Sequence, residues 1–369
     1  MLTDNQRSRL NLFCAALIDQ EAARVVVAPQ QAASGFWFGG GNLAEAPDGA
    51  FYLCGRYRNA GDSRTGLGAG ERGLELAVFD SRDRGQHFDK LLAFSKADLS
   101  YPGGEVLSIE GSALHFTDDG VELFVSSEKA DVYYPAHLSE FQKPGTGVWT
   151  IDVLRAPTVE ALRDATPTPL LRCDDPRFLH VKDPVVYKRT NGDLVLVFCT
   201  HPFNWSSSNS AYAVRPAGSD AFEPPVYDFF ARGVTWDVAM SRMTALLDVP
   251  QIGAFAQDGP RALAFYDGGE SLRQYEEHGK AVRRARGYSC EEIGGVAVLD
   301  PADLGTEERL SLLFPSFVSP TGTGCSRYVD VLTAAEGYYV TWQQSQVDLS
   351  QPLVMNFVSK AEAERILVG

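Results

Sequence analysis

Five times along this sequence a polar or charged residue opens a strand-like run, a tight turn follows, and a more apolar run comes next. The openings are Asn42, Glu110, Asp183, Arg242 and Arg327. Strand pairs such as Val121-Glu122-Leu123-Phe124-Val125 and Asp193-Leu194-Val195-Leu196-Val197-Phe198 are rich in Val, Leu and Phe, and Asp-Gly, Asn-Gly and Gly-Gly dipeptides punctuate them. That is the signature of antiparallel hairpins. A unit of roughly 70 residues, repeated, predicts four-stranded blades with long connections. Five such units use up the chain, so the expected architecture is all-β: a five-bladed β-propeller around a central channel, in one domain over residues 1–369. A short helix is expected at about residues 5–23. The apolar Val25-Val26-Val27 then supplies the last strand of blade five, because an open ring would leave strand edges unpaired.

In a propeller the innermost strand of each blade lines the channel, so the five opening residues should converge on one mouth. Two carboxylates and two guanidiniums are costly to crowd together without a purpose. Glu110, at a partly desolvated mouth near a second carboxylate, is expected to hold its proton and so to be able to donate it. Asp183 is its ionised partner. Glu292, beside Gly294-Gly295, is a third catalytic candidate, and Asp267 in Tyr266-Asp267-Gly268 is either a ligand or a turn residue. Asp237 belongs to the same set of carboxylates.

Arg242 and Arg327 imply an anionic group on whatever binds there, since a guanidinium holds a carboxylate or phosphate by two parallel bonds. Arg58, with Arg56, lies just after the second strand of blade one and adds to such a site or pairs with surface acids. Trp205, in the loop His201-Pro202-Phe203-Asn204-Trp205-Ser206, and Trp236 stand in polar settings where a ring face could stack on a ligand, as does Trp37.

The net charge of -15 and pI near 4.9 repel a phosphate backbone, so nucleic acid is disfavoured as a partner. The six cysteines are scattered with no zinc spacing and are expected as buried thiols. The N-terminus lacks a secretory apolar run and no stretch is long enough to span a bilayer, which points to the cytoplasm and away from a membrane partner. No P-loop, dinucleotide fingerprint, HExxH helix or Gly-x-Ser-x-Gly elbow is present. No cofactor is expected, although a channel calcium built from scattered oxygens would leave no motif.

Two segments carry a resemblance. Glu110-Gly111-Ser112-Ala113-Leu114, with its following turn and strand, resembles the general-acid segment of five-bladed propeller glycosidases of the arabinanase, xylosidase and invertase type. Lys182-Asp183-Pro184-Val185-Val186 resembles their Arg-Asp-Pro segment. The resemblance implies a glycoside hydrolase with a carbohydrate substrate, and an orienting role for Asp183. It also implies a blade-one aspartate as base or nucleophile, and the matching position is Asn42, which cannot take a proton. Separately, Ser81-Arg82-Asp83-Arg84-Gly85-Gln86-His87-Phe88 resembles the Asp box of sialidase-like propellers, a structural turn.

The sequence thus points to a glycoside hydrolase acting on an anionic sugar. A phosphorylase using inorganic phosphate would explain the missing blade-one aspartate, and a non-catalytic carbohydrate-binding propeller would too. A sialidase-like enzyme would need a third arginine and a tyrosine nucleophile, for which Arg56 and Tyr328 are available.

Overall fold

The computed structural model describes residues 1–59, 73–130, 132–142, 147–202, 207–270 and 292–369. After helix α1 (Asp4–Leu17) and strand β1 (Arg24–Val27), blade one contains β2 (Trp37–Gly39), β3 (Leu43–Glu45), β4 (Phe51–Arg58), β5 (Glu75–Ser81) and β6 (Asp89–Ser95). Blade two is β7 (Val106–Thr117), β8 (Gly120–Lys129), β9 (Val148–Ala156) and β10 (Thr168–Leu171), and blade three is β11 (Lys182–Lys188), β12 (Leu194–Thr200), β13 (Asn209–Arg215) and β14 (Val226–Phe230). Blade four is β15 (Met240–Asp248), β16 (Ala262–Gly269), β17 (Ile293–Leu299) and β18 (Thr306–Arg309). Blade five is β19 (Ser326–Thr333), β20 (Gly337–Gln344) and β21 (Leu353–Ser359), followed by helix α2 (Lys360–Val368).

The expected five-bladed ring is what forms. Its closure is the one the apolar triplet implied: β1 pairs antiparallel with β21, with Val25 opposite Val354, so the N-terminal strand completes blade five. Alternation along each strand sends apolar side chains to both faces of each blade, and each of the five gaps between neighbouring blades is filled by its own apolar layer.

Helix α1 starts under a capping box, in which Thr3 accepts from the Gln6 N–H and Gln6 reaches back. It stops at Leu17, short of the expected end, because the Asp19 carboxylate captures the N–H groups of Glu21 and Ala22 in a turn. Its buried face, Leu10, Phe13 and Leu17, joins Leu367 of α2 in the layer between blades four and five. The second helix had no counterpart in the sequence reading. The described cysteines are all buried, with no disulfide among them.

Blade one departs from the others. Its innermost strand is broken, since β2 and β3 both pair with β4 and Gly40-Gly41-Asn42 lies between them. Asn42 directly precedes β3 as expected, but β3 begins only after this break. The Asn42 amide faces blade two, accepting from the Leu114 N–H at 2.7 Å and donating to the Leu114 carbonyl at 3.0 Å, a side chain doing the work of a backbone ladder between two blades. Asp83 accepts from the His87 N–H and from Ser81 Oγ, both at 2.9 Å, and so ties the β5 to β6 turn by local bonds. That turn carries no family assignment.

Candidate active site at the channel mouth

The innermost strands β7, β11, β15 and β19 each carry a register shift near their first residues. A shift lets two consecutive residues face one partner and re-aims the side chains beside it. Asp183 and Tyr328 sit at such shifts with φ of 53° and 54°, a strained conformation for side-chain-bearing residues. Both are held there by hydrogen bonds from neighbouring blades. Asp183 N–H donates to Ser126 Oγ at 3.0 Å and Asp183 Oδ1 accepts from Gly111 N–H at 3.0 Å. Tyr328 N–H donates to both Asp267 oxygens, at 3.0 and 3.2 Å.

These constraints bring the charged residues into one connected network. Glu110 Oε2 lies 3.1 Å from Arg56 Nη2, and Arg56 Nη1 lies 3.6 Å from Asp183 Oδ1. Asp183 Oδ2 is 3.1 Å from Arg242 Nη1, while Arg242 Nη2 reaches Asp267 at 2.7 Å and Glu292 at 2.5 Å. Arg327 Nη1 completes the series at 2.8 Å from Glu292. The predicted Glu110, Asp183, Glu292, Arg242 and Arg327 thus share one site although they come from four blades. Glu292 and Arg327 are the more open end, with side chains 19% and 15% exposed, whereas Arg56 is at 3%. A small pocket lined by Gly40, Gly111, Asp183, Arg242, Thr244 and Tyr328 among others adjoins the cluster.

Electrostatics revise one expectation. Burial acts to raise the Glu110 carboxyl, but Arg56, Lys182 and Arg58 together with the Ser108 hydroxyl outweigh it and hold the group down at about 2. Glu110 is therefore ionised in the free protein rather than proton-holding. Partial burial acts to raise Glu292 as well, but Arg242 and Arg327 hold it below the usual carboxylate range. Asp267 behaves differently: burial, reinforced by Glu292, pushes it up to about 6 despite Arg242.

Other assignments shift. Asp267 is neither a turn residue nor open to a ligand, because it lies within β16, fully buried, with its oxygens spent on Arg242 and the Tyr328 N–H. Trp236 belongs to the core: it is 2% exposed, stacks on Tyr266 and donates to the Ser311 carbonyl at 2.7 Å. Asp237 pairs with Arg309 at 2.7 Å in the same blade-four wall. Trp205 lies outside the described residues. Arg58 faces the mouth, its guanidinium 5.8 Å from the Trp37 ring and close enough to bear on Glu110.

Arg56 was undervalued in the sequence and is the centre of the network. The legible signal is its two-residue spacing from Arg58, which places both on one face of β4. Tyr328, named only as an available tyrosine, is surrounded by three guanidiniums: Arg56 donates to its hydroxyl at 3.1 Å, Arg242 lies 4.1 Å from the ring centre, and Arg327 lies 5.3 Å from it. Trp149, at 3.5 Å from Glu110 Oε1, is the aromatic ring that touches the acid. Among the described residues no group of three His, Cys, Asp or Glu side chains could hold a metal ion.

The fold and site together define a five-bladed propeller with an interlocked carboxylate and guanidinium cluster at its channel mouth. Solved structures share this fold. A thermostable family-43 glycoside hydrolase is similar at 11% identity over 90% of this chain and 92% of its own, with a TM-score of 0.55. An α-L-arabinofuranosidase from Lactobacillus brevis is similar at 11% identity, 92% and 93% coverage and a TM-score of 0.56. A family-43 β-xylosidase/α-arabinofuranosidase from a compost metagenome, in complex with xylotriose, gives 8% identity, 91% and 95% coverage and 0.53. The five-bladed fold expected from the Glu110 and Lys182-Asp183-Pro184 segments is therefore the fold these structures have. No family model and no curated protein matches the sequence.

Proposed function

We propose that this chain is a glycoside hydrolase acting on a sugar that bears an anionic group. The observation that carries the reading is the mouth itself, where Arg56, Arg58, Lys182, Arg242 and Arg327 meet Glu110, Asp183, Asp267 and Glu292, one cation more than carboxylates. Glycoside cleavage needs one carboxyl group to protonate the leaving oxygen and a second to activate water or attack carbon. Glu110, against the Trp149 ring, takes the first role. Glu292 takes the second: its Oε2 is held by both arginines, while Oε1 makes no hydrogen bond among the described residues. Asp183 fixes Arg56 and Arg242 relative to each other. The carbon to oxygen bond breaks as Glu110 gives its proton to the departing sugar, and water adds to the anomeric carbon as its proton passes to Glu292.

The fold shared with family-43 glycosidases supports the reading. A second reading is favoured by the broken innermost strand of blade one, whose one carboxylate, Glu45, is paired with Arg84: inorganic phosphate attacks the anomeric carbon and a glycosyl phosphate leaves. A sialidase-like role for Tyr328 is disfavoured because burial raises its phenol strongly. The test compares uronides with matched neutral glycosides, with and without phosphate, following sugar release from poor alkyl leaving groups. Uronide cleavage that falls at least about 100-fold in Glu110→Gln is expected. Binding without turnover, unchanged in Glu110→Gln, would make the chain a carbohydrate-binding propeller, and turnover only with phosphate would make it a phosphorylase.

A further inference from the structure

The blade-one position that corresponds to Asp183 and Tyr328 is Gly40. It has φ of 71°, against 53° and 54° for those two, and lies in the break of blade one's innermost strand where they lie at the register shifts of theirs. Its missing side chain is replaced from behind, since a Cβ there would lie 2.5 Å from Arg56 Nη1. A guanidinium from the second strand thus stands where a side chain of blade one would enter the mouth.

Arg56 is incompletely satisfied there. Its Nη2 is shared between Glu110 Oε2 and the Tyr328 hydroxyl, each at 3.1 Å, whereas buried Nε and Nη1 make no hydrogen bond, Nη1 reaching Asp183 only as an ion pair at 3.6 Å. Buried donors without acceptors are costly and rare in a protein interior. The Trp37 ring lies 4.8 Å from Arg56, 5.8 Å from Arg58 and 5.0 Å from Arg327, which gathers three guanidiniums around one indole. Repulsion among them is relieved by an oxyanion.

Resting on the hydrolase reading, we propose that Arg56 is an oxyanion receptor, and that a bound carboxylate or phosphate group draws it off Glu110 so that Glu110 gains the proton it donates. The groups facing Glu110 are Arg56 and Arg58 from β4, Ser108 from its own strand, Trp149 from β9 and Lys182 from β11, while Asp183 meets Arg56 on its other side. Arg56 is the largest attractive influence among them, so neutralising it relaxes the strongest hold on the ionised carboxylate. The negative charge brought by the ligand adds to the same effect. The proton comes from solvent and ends on the leaving oxygen.

Calorimetric titration at pH 5 with D-glucuronate, D-glucose and inorganic phosphate, each in two buffers of different ionisation enthalpy, reads both binding and proton uptake. Glucuronate should bind with net proton uptake, and glucose should bind at least about tenfold more weakly without it. Phosphate binding with uptake would assign the receptor to a phosphate cosubstrate, and its absence to the sugar's own carboxylate. Glu110→Gln should retain anion binding and lose the uptake. Arg56→Met should weaken anion binding at least about tenfold, with Arg56→Lys intermediate because a point charge cannot offer the bidentate edge. The receptor is overturned if neither anion binds, or if Arg56→Met binds as wild type does. Binding without Glu110-dependent uptake overturns the release of Glu110. Since no step requires turnover, uronide cleavage by a protein that fails these tests leaves the hydrolase reading standing.

Discussion

Replacing Asp330 with asparagine should stabilise the protein, and increasingly so as pH rises. Asp330 lies on β19 two residues beyond Tyr328, and its Oδ2 accepts the Leu43 N–H at 2.7 Å. Burial pushes its carboxyl up to about 7, with only the N–H groups of Leu43 and Val331 acting against it. An unfolded aspartate titrates near 3.9, so the folded chain binds this proton more tightly than the unfolded one. The contribution of Asp330 is then complete below about pH 4 and is lost as pH rises through about 7. Each pH unit between the two values costs about 1.4 kcal/mol, which gives about 1.5 kcal/mol at pH 5 and about 4 kcal/mol at pH 8. Asparagine keeps an acceptor for Leu43 and never ionises. The advantage of Asp330→Asn over wild type should therefore grow by about 2.5 kcal/mol from pH 5 to pH 8. Urea unfolding of both proteins at the two pH values measures it, provided the m-values agree. A stability difference that stays constant across this range would refute the reasoning, because the burial penalty on the charge would then be absent.

Three further outcomes follow from the same contacts. Arg242→Met leaves buried Asp183 and Asp267, and half-buried Glu292 beside them, without their shared cation, so unfolding free energy should fall by about 3 to 5 kcal/mol at pH 8 and by less at pH 4, by denaturant titration. Gly40→Ala places a Cβ against Arg56 Nη1 at a positive φ and should cost about 1 kcal/mol or more while weakening glucuronate binding, whereas Gly49→Ala, with nothing within 4 Å of its Cβ, carries only the backbone strain and should leave binding unchanged. Asn42→Ala removes both bonds to Leu114 and should lower stability by about 1 to 3 kcal/mol with little change in anion affinity, which would show that Asn42 joins blades rather than binding sugar.

Much of this protein was legible in the residues themselves. Strand rhythm and turn dipeptides gave five blades because a hairpin is specified locally, by alternation on the strands and by backbone freedom at the turn. Ring closure through Val25-Val26-Val27 followed from the need to pair an edge. Convergence of Glu110, Asp183, Arg242 and Arg327 followed from the topology, since the innermost strands line the channel, although Glu110 enters it from a register shift within β7 rather than from the strand's first residue. What the residues did not reveal depends on contacts between blades. Asn42 looked like a mouth residue because its neighbours in sequence form a strand, but the break at Gly40-Gly41 turns its amide toward Leu114. Trp236 looked solvent-facing among polar neighbours, and the Tyr266 ring of β16 and the Ser311 carbonyl beyond β18 bury it. Arg56 looked like a surface cation on an acidic protein. Only the ring, by placing Gly40 in front of it and Glu110, Asp183 and Tyr328 around it, made it the centre of the site, and only that crowding holds Glu110 ionised. Hydrogen bonding along a strand is written in the sequence; the charge that a buried group keeps is set by neighbours drawn from distant parts of the chain.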